Sequence, residues 1–191
     1  MTGTEQGCGL SVPRRCHWCN ERNAAYVRYH DEEWGVEEHD DRRLFELLVL
    51  ECFQAGLSWE CVLNKREAFR RAFDAFDVHR VAQYGEEKMA ALLADEGIIR
   101  NRLKIAAATT NARVFIAIAE EWGSFDRYIW GFTHGKTIRE TGPTHSALSD
   151  AVSRDLRRRG MKFVGTTIVY SFLQAIGVIN GHEEGCWRAE G

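Results

Sequence analysis

The chain has 191 residues, 45% hydrophobic and 28% charged with only two prolines, which describes one globular domain able to bury a core without disulfide or metal staples. No stretch is long and apolar enough to span a bilayer and the opening MTGTEQGCGLSVPRR has no signal-peptide core. Membrane and secreted classes are thereby excluded in favour of a cytoplasmic protein with reduced cysteines. The net charge of −3 argues against a uniformly basic nucleic-acid binder.

In chain order, residues 1–14 read as a flexible tail in which Cys8 is an incidental thiol, and residues 15–191 as a single domain. DDRRLFELLVLEC (40–52) opens on Asp N-cap candidates and continues as a core helix. SWECVLNKREAFRRAF (58–73) starts at a capping Ser and sets Phe69, Phe73 and Phe76 at helical spacing. A short helix follows Asp77. EEKMAALLADEG then ends at Gly97 as a C-cap glycine, and IRNRLKIAAATTNARVFIAIAEEWG (99–123) is one long helix closed by Gly123. SALSDAVSRDLRRRG and TTIVYSFLQAIGVING each end on glycine. Strand-like alternation is confined to KTIRET (136–141), which reads as a loop. The expectation is an all-α fold.

Four features carry chemistry. RRCHWC supplies Cys16 and Cys19 as C-x2-C, and NGHEEGC supplies His182 and Cys186. Together they make a tetrahedral zinc set, and His30 of RYHDEEWG can replace Cys19; spacing does not choose between the two. Four protein donors from the two ends of the chain describe a structural clasp, not a catalytic metal. Glu51 lies within the apolar run LLVLECF, where a carboxylate must be paired, face a pocket or be costly. The aromatics Tyr26, Tyr29, Trp34 and Trp59 are either ordinary core or a stacking box for a planar, electron-poor ligand. QAG (54–56) makes a tight turn, and DEGIIRNRLKI (95–105) reads as a helix–turn–helix followed by basic residues, which can present amides to a phosphate backbone. The charge is uneven: residues 1–96 carry 12 Lys+Arg and 19 Asp+Glu, residues 97–191 carry 13 and 9. The C-terminal half is therefore the basic one.

YHDEEWGV, LECFQAGLSW, EGIIRNRLKI, KFVGTTIVYSFLQAIGVINGHEEGC and the leading RCHW resemble the bacterial DNA-3-methyladenine glycosylase I family from about Cys16 to Cys186. The resemblance implies a compact helical domain of the helix-hairpin-helix glycosylase type, acting in base excision repair on alkylated double-stranded DNA, as a monomer, with one structural zinc. It implies Cys16, His30, His182 and Cys186 as ligands, Glu51 as the catalytic carboxylate, and Tyr26, Tyr29, Trp34, Trp59 and Ser171 around the base. Cys52 and Phe53 depart from the small or polar residues usual in the family and alter the pocket's back wall.

Methylation at N3 makes adenine a cation and a good leaving group, so the enzyme must chiefly extrude the nucleotide and select the base. No carboxylate lies between Asp155 and Glu183, and no pocket motif carries a lysine for a Schiff base. A monofunctional hydrolase is expected. Gln54, Ala55, Gly56 and Leu57 are expected to fill the gap left by the flipped nucleotide, and Gly97, Arg100, Arg102 and Lys104 to hold phosphates. The rival is a zinc-containing helix-hairpin-helix module that binds DNA without turnover.

Overall fold

The computed structural model describes residues 13–189; the tail expected over residues 1–14, with Cys8, lies outside them but for Pro13 and Arg14. Helix α1 (Ala24–Glu32) is capped by Asn23, whose side chain accepts from the amides of Ala25 and Tyr26. Asp40 caps α2 (Asp41–Gln54) through the Arg43 amide. Every residue of α2 from Leu44 to Phe53 is buried, so this helix is the centre of the core and packs on α10 (Thr166–Ala175), α7 (Arg102–Trp122), α3 (Trp59–Asn64) and α8 (Phe125–Gly131).

The helix expected over 58–73 is two helices. Ser58 caps α3 through the Cys61 amide, and Lys65 ends it and begins α4 (Arg66–Ala72). Asp74, Ala75 and Phe76 then adopt φ of 53°, 53° and 56°, a left-handed turn without glycine. Packing outweighs the local preference: Phe69, Phe73 and Phe76 are fully buried and stack in succession at 5.7 and 5.8 Å. Asp74 is fixed by the Tyr84 hydroxyl at 2.6 Å and by Arg80 and Lys88.

Asp77 caps the short helix α5 (Val78–Ala82). Helix α6 (Glu86–Ala94) is C-capped by Asp95, two residues before Gly97, so Gly97 is not its C-cap. Gly97 is small for another reason. A Cβ there would stand 3.0 Å from the Ala68 Cβ and 2.9 Å from the Asp95 carboxylate that accepts its amide. Helix α7 starts at Arg102, not Ile99, because the Asn101 side chain caps it through Leu103 and Lys104, and Gly123 at φ 87° closes it. A reciprocal pair of Ser146 and Ser149 bonds opens α9 (Ala147–Arg158). The segment expected as a loop contains a short strand: β1 (Ile138–Arg139) pairs in parallel with β2 (Ile179–Asn180), the amides of Ile138 and Glu140 reaching the carbonyls of Val178 and Asn180. The fold is otherwise helical, and no helix among the described residues is long and apolar enough to cross a membrane.

The segment after α1 runs along the end of α10, the amides of Gly35 and Glu38 bonding the carbonyls of Gln174 and Ile176. This approach requires Gly177, whose φ is 76° and whose Cβ would lie 2.5 Å from the Val36 carbonyl carbon. Gly177→Ala should cost about 3 kcal/mol and lower Tm by about 10 °C in thermal melts; an unchanged Tm would show that this contact yields freely.

Candidate active site and metal centre

Helices α1, α2, α3 and α10 enclose a cleft of about 190 Å³ lined by Trp18, Tyr26, Tyr29, Trp34, Glu51, Gln54, Trp59, Ser171 and Gln174. It is below the roughly 300 Å³ usual for drug-sized ligands, a space suited to one planar ring system. Two larger grooves, of about 380 and 410 Å³, lie elsewhere. Two of the buried polar atoms left without a partner, Glu51 Oε2 and Trp59 Nε1, belong to residues lining the small cleft, and none belongs to residues lining the larger two. Buried polar groups are nearly always satisfied, so an acceptor and a donor orphaned together mark a place for a ligand.

Glu51 is 3% exposed, and burial alone pushes its carboxyl up to about 8. Burial also raises the neighbouring Tyr29 and Tyr26 hydroxyls, with a smaller contribution from the charge on Glu51. The cleft is thus neutral when empty near pH 7 and gains a negative charge only when something positive favours it. The rings brace one another, Tyr29 against Trp59 at 5.1 Å and Trp18 edge-on to Trp34 at 4.6 Å.

Behind this wall Cys16, His30, His182 and Cys186 converge, all buried, with one donor atom from each lying within 4.8 Å of the others. Three sulfur–nitrogen separations are 3.5 Å: Cys16 to His182 Nδ1, and Cys186 to His182 Nδ1 and to His30 Nε2. Zinc–sulfur bonds of about 2.3 Å and zinc–nitrogen bonds of about 2.0–2.1 Å in a tetrahedron give an edge of about 3.5 Å, so the donor set fits. The outer nitrogens are committed elsewhere. His30 Nδ1 meets Asp31 at 2.8 Å, and His182 Nε2 meets the Trp34 carbonyl at 3.0 Å, so the inner nitrogens face the two sulfurs, His30 Nε2 also meeting the Cys16 amide at 3.2 Å. Burial works to raise the Asp31 carboxyl, but hydrogen bonds from Arg15, His30 and Trp187 outweigh it and hold the group at about 2. Burial lowers His182 to about 4 and pushes Cys16 up to about 12. The first favours a neutral imidazole ligand; the second keeps a thiol protonated until a cation displaces the proton. Cys19 is also buried but turns away, its sulfur 3.9 Å from the Tyr26 carbonyl.

A family model described as methyladenine glycosylase matches residues 18–189. The chain belongs to that family. It is 46% identical over 179 residues to DNA-3-methyladenine glycosylase 1 of Escherichia coli (strain K12), covering 90% of this chain and 95% of that protein. DNA-3-methyladenine glycosylase of Haemophilus influenzae (strain ATCC 51907 / DSM 11121 / KW20 / Rd) is 38% identical over 178 residues, 90% of this chain and 96% of the relative. A solved 3-methyladenine DNA glycosylase I superposes with a TM-score of 0.87 at 45% identity, covering 92% of this chain and 99% of its own. That from Staphylococcus aureus, solved to explain 3-methyladenine recognition, gives 0.84 at 33% identity over 87% and 92% of the two chains.

All six expected pocket residues (Glu51, Tyr26, Tyr29, Trp34, Trp59 and Ser171) line one cleft, and Gln54 joins them. Trp18 and Gln174 were not foreseen. Gln174 lies three residues after Ser171 on the same face of α10, a spacing that could have pointed to it; Trp18 carried no signal beyond its place inside RRCHWC. Ala55 and Gly56 form the tight turn that was expected: Gly56 has φ 79° and the Leu57 amide returns to Gln54 at 2.7 Å, with Leu57 41% exposed.

The expected phosphate-holding segment divides. Arg100 and Arg102 are exposed, Arg100 beside Glu96 at 3.7 Å. Lys104 does not belong on that surface: it is buried, and its ammonium donates to the carbonyls of Phe53 and Ala55. Asn101 occupies the first amides of α7. A second hairpin, residues 159–165 between α9 and α10, was foreseen only as part of the basic C-terminal half. It carries exposed Lys162 at its tip, with exposed Arg154, Arg157 and Arg158 on the preceding α9, and Gly165 precedes α10 as an N-cap residue without a side-chain cap.

Proposed function

We propose that this protein is a monofunctional DNA glycosylase that flips 3-methyladenine out of alkylated duplex DNA and hydrolyses its glycosidic bond. The observation that carries this reading is the pair of orphaned atoms, Glu51 Oε2 and Trp59 Nε1, in an aromatic cleft sized for one flat ring system. A methylated adenine is a cation while it remains in DNA. Tyr29 and Trp59 offer it aromatic faces, and Glu51, ionised in its presence, accepts from the exocyclic amine. As the bond between the sugar C1′ and the base nitrogen breaks, the electron pair moves to the base and neutralises it. The positive charge passes to the sugar, and water adds there and gives up a proton to solvent. Among the described residues no lysine lines the cleft to attack C1′.

The uncapped α10 N-terminus, Lys162 and the arginines of α9 suit phosphate oxygens; Arg100 and Arg102 would extend that grip, with Gly97 in the turn between their helices. Gln54–Leu57 would occupy the space of the flipped nucleotide, Leu57 foremost. Cys16, His30, His182 and Cys186 would hold one zinc ion as a structural clasp, since four protein donors leave no position for water. Residues 15–191 then act as one domain, as a cytoplasmic monomer. Incubation with methylated duplex should release free base and leave intact abasic strands; a covalent adduct trapped by borohydride would contradict hydrolysis by water.

A further inference from the structure

Helix α7 carries three buried polar side chains that line neither the cleft nor the metal centre, Lys104, Thr109 and Asn111, and two of them hold distant backbone. Lys104 Nζ donates to the carbonyls of Phe53 at 2.8 Å and Ala55 at 2.6 Å, at the end of α2 where the turn 54–57 begins. Asn111 is 1% exposed and grips the other hairpin by both backbone groups of one residue. Its amide nitrogen donates to the Lys162 carbonyl at 2.9 Å, and its oxygen accepts from the Lys162 amide at 2.8 Å. The Cys52 sulfur, beside Glu51, lies 3.8 Å from the same Asn111 nitrogen and 3.9 Å from the Lys162 carbonyl.

Positions 104 and 111 are seven apart, hence on one face of the helix and separated by about 10 Å along it. Both hold irregular backbone that cannot satisfy or position itself: Gly56 has φ 79°, Gly160 φ 105° and Phe163 φ 56°. A buried ammonium is expensive, and a methionine would fill the same space without the cost. Lys104 is therefore suited to fixing the turn more than to filling the core.

We propose that Lys104 and Asn111 are positioning residues for base extrusion, with α7 as the strut that sets the turn 54–57 against the hairpin 159–165. This rests on the DNA-glycosylase reading above. When the hairpin takes hold of phosphates, Asn111 fixes where Lys162 stands, and Lys104 fixes where Leu57 enters the stack. Neither Lys104 nor Asn111 lines the cleft, so the free base should still bind when they are lost.

The test compares Lys104→Met, Lys104→Arg and Asn111→Leu with the parent. Zinc content, Tm and affinity for free 3-methyladenine are measured beside single-turnover excision from methylated duplex and affinity for a duplex holding a stable abasic analogue. Lys104→Met and Asn111→Leu should bind free base within about twofold of the parent yet lose at least tenfold in excision and in abasic-duplex affinity. Lys104→Arg should recover part of both. Excision and duplex affinity equal to the parent would overturn the proposal, and so would a parallel loss of free-base affinity, which would mean general loosening. The abasic-duplex arm requires no turnover. It therefore decides the positioning claim even if the parent releases no base, a result that would defeat the excision reading instead.

Discussion

Glu51→Gln should leave a folded protein with its metal content unchanged that excises methylated base about tenfold to a hundredfold more slowly than the parent. The substitution keeps the shape of the side chain and removes the charge that the cationic base induces, and a hydrogen bond to a charged group is worth about 1.5–3 kcal/mol. The pH dependence is specific to this residue. Burial holds the folded Glu51 at about 8 against an ordinary 4.5, so between those values the native state keeps a proton that the unfolded chain has released. Stability must then fall as pH rises through that window, by about 1.4 kcal/mol per unit at most and on the order of a few kcal/mol in total. The glutamine variant lacks this loss. Denaturant titrations should find the two proteins similar near pH 4.5 and the variant the more stable at pH 8. The parent's kcat/KM for excision, which reports the empty enzyme, should rise towards a plateau above about pH 8, and the variant's should lack that rise. A variant that excises at the parental rate would place the pocket elsewhere.

His182→Ala should lose the bound metal and lower Tm by about 10–20 °C, and chelation of the parent should do the same. A metal held by the four donors would join the segment before α1 to the residues after β2, and its loss would leave two thiols and an imidazole buried without an ion to engage them. A loss of about 5 kcal/mol corresponds to that shift in a chain of this length. Trp34 links the centre to the pocket: its ring meets His182 edge-on at 4.6 Å and its carbonyl accepts from the same imidazole. Activity should accordingly fall in step with folding, and below the lowered Tm some excision should persist. Complete loss of excision by a chelated protein that remains fully folded would assign the metal a direct part in the chemistry.

The helices were legible in the sequence because their caps are local. Asp40, Ser58, Asp77 and Gly123 each act within a few residues of the helix end that they mark. Glu51 was legible as an anomaly, a carboxylate within the apolar run LLVLECF. What escaped depends on distant partners. The left-handed turn at 74–76 is imposed by stacked phenylalanines and the Asp74 ion pairs, and β1 exists only because Val178 and Asn180 lie alongside it. The choice of His30 over Cys19 follows from the direction of α1, which no spacing encodes and which the family resemblance supplied. Lys104 reads as one more surface cation in RNRLK; that it points inwards depends on the end of α2, about fifty residues earlier. Trp18 and Gln174 reach the cleft because the two ends of the chain come together there.

The most direct test of the central claim is the release of free base from duplex DNA treated with a methylating agent, resolved by chromatography into 3-methyladenine and 7-methylguanine and run beside Glu51→Gln. Release of 3-methyladenine in preference to 7-methylguanine is expected, with unbroken abasic strands and a markedly slower variant. No released 3-methyladenine at stoichiometric enzyme, from a protein shown to be folded and metal-loaded, would contradict it.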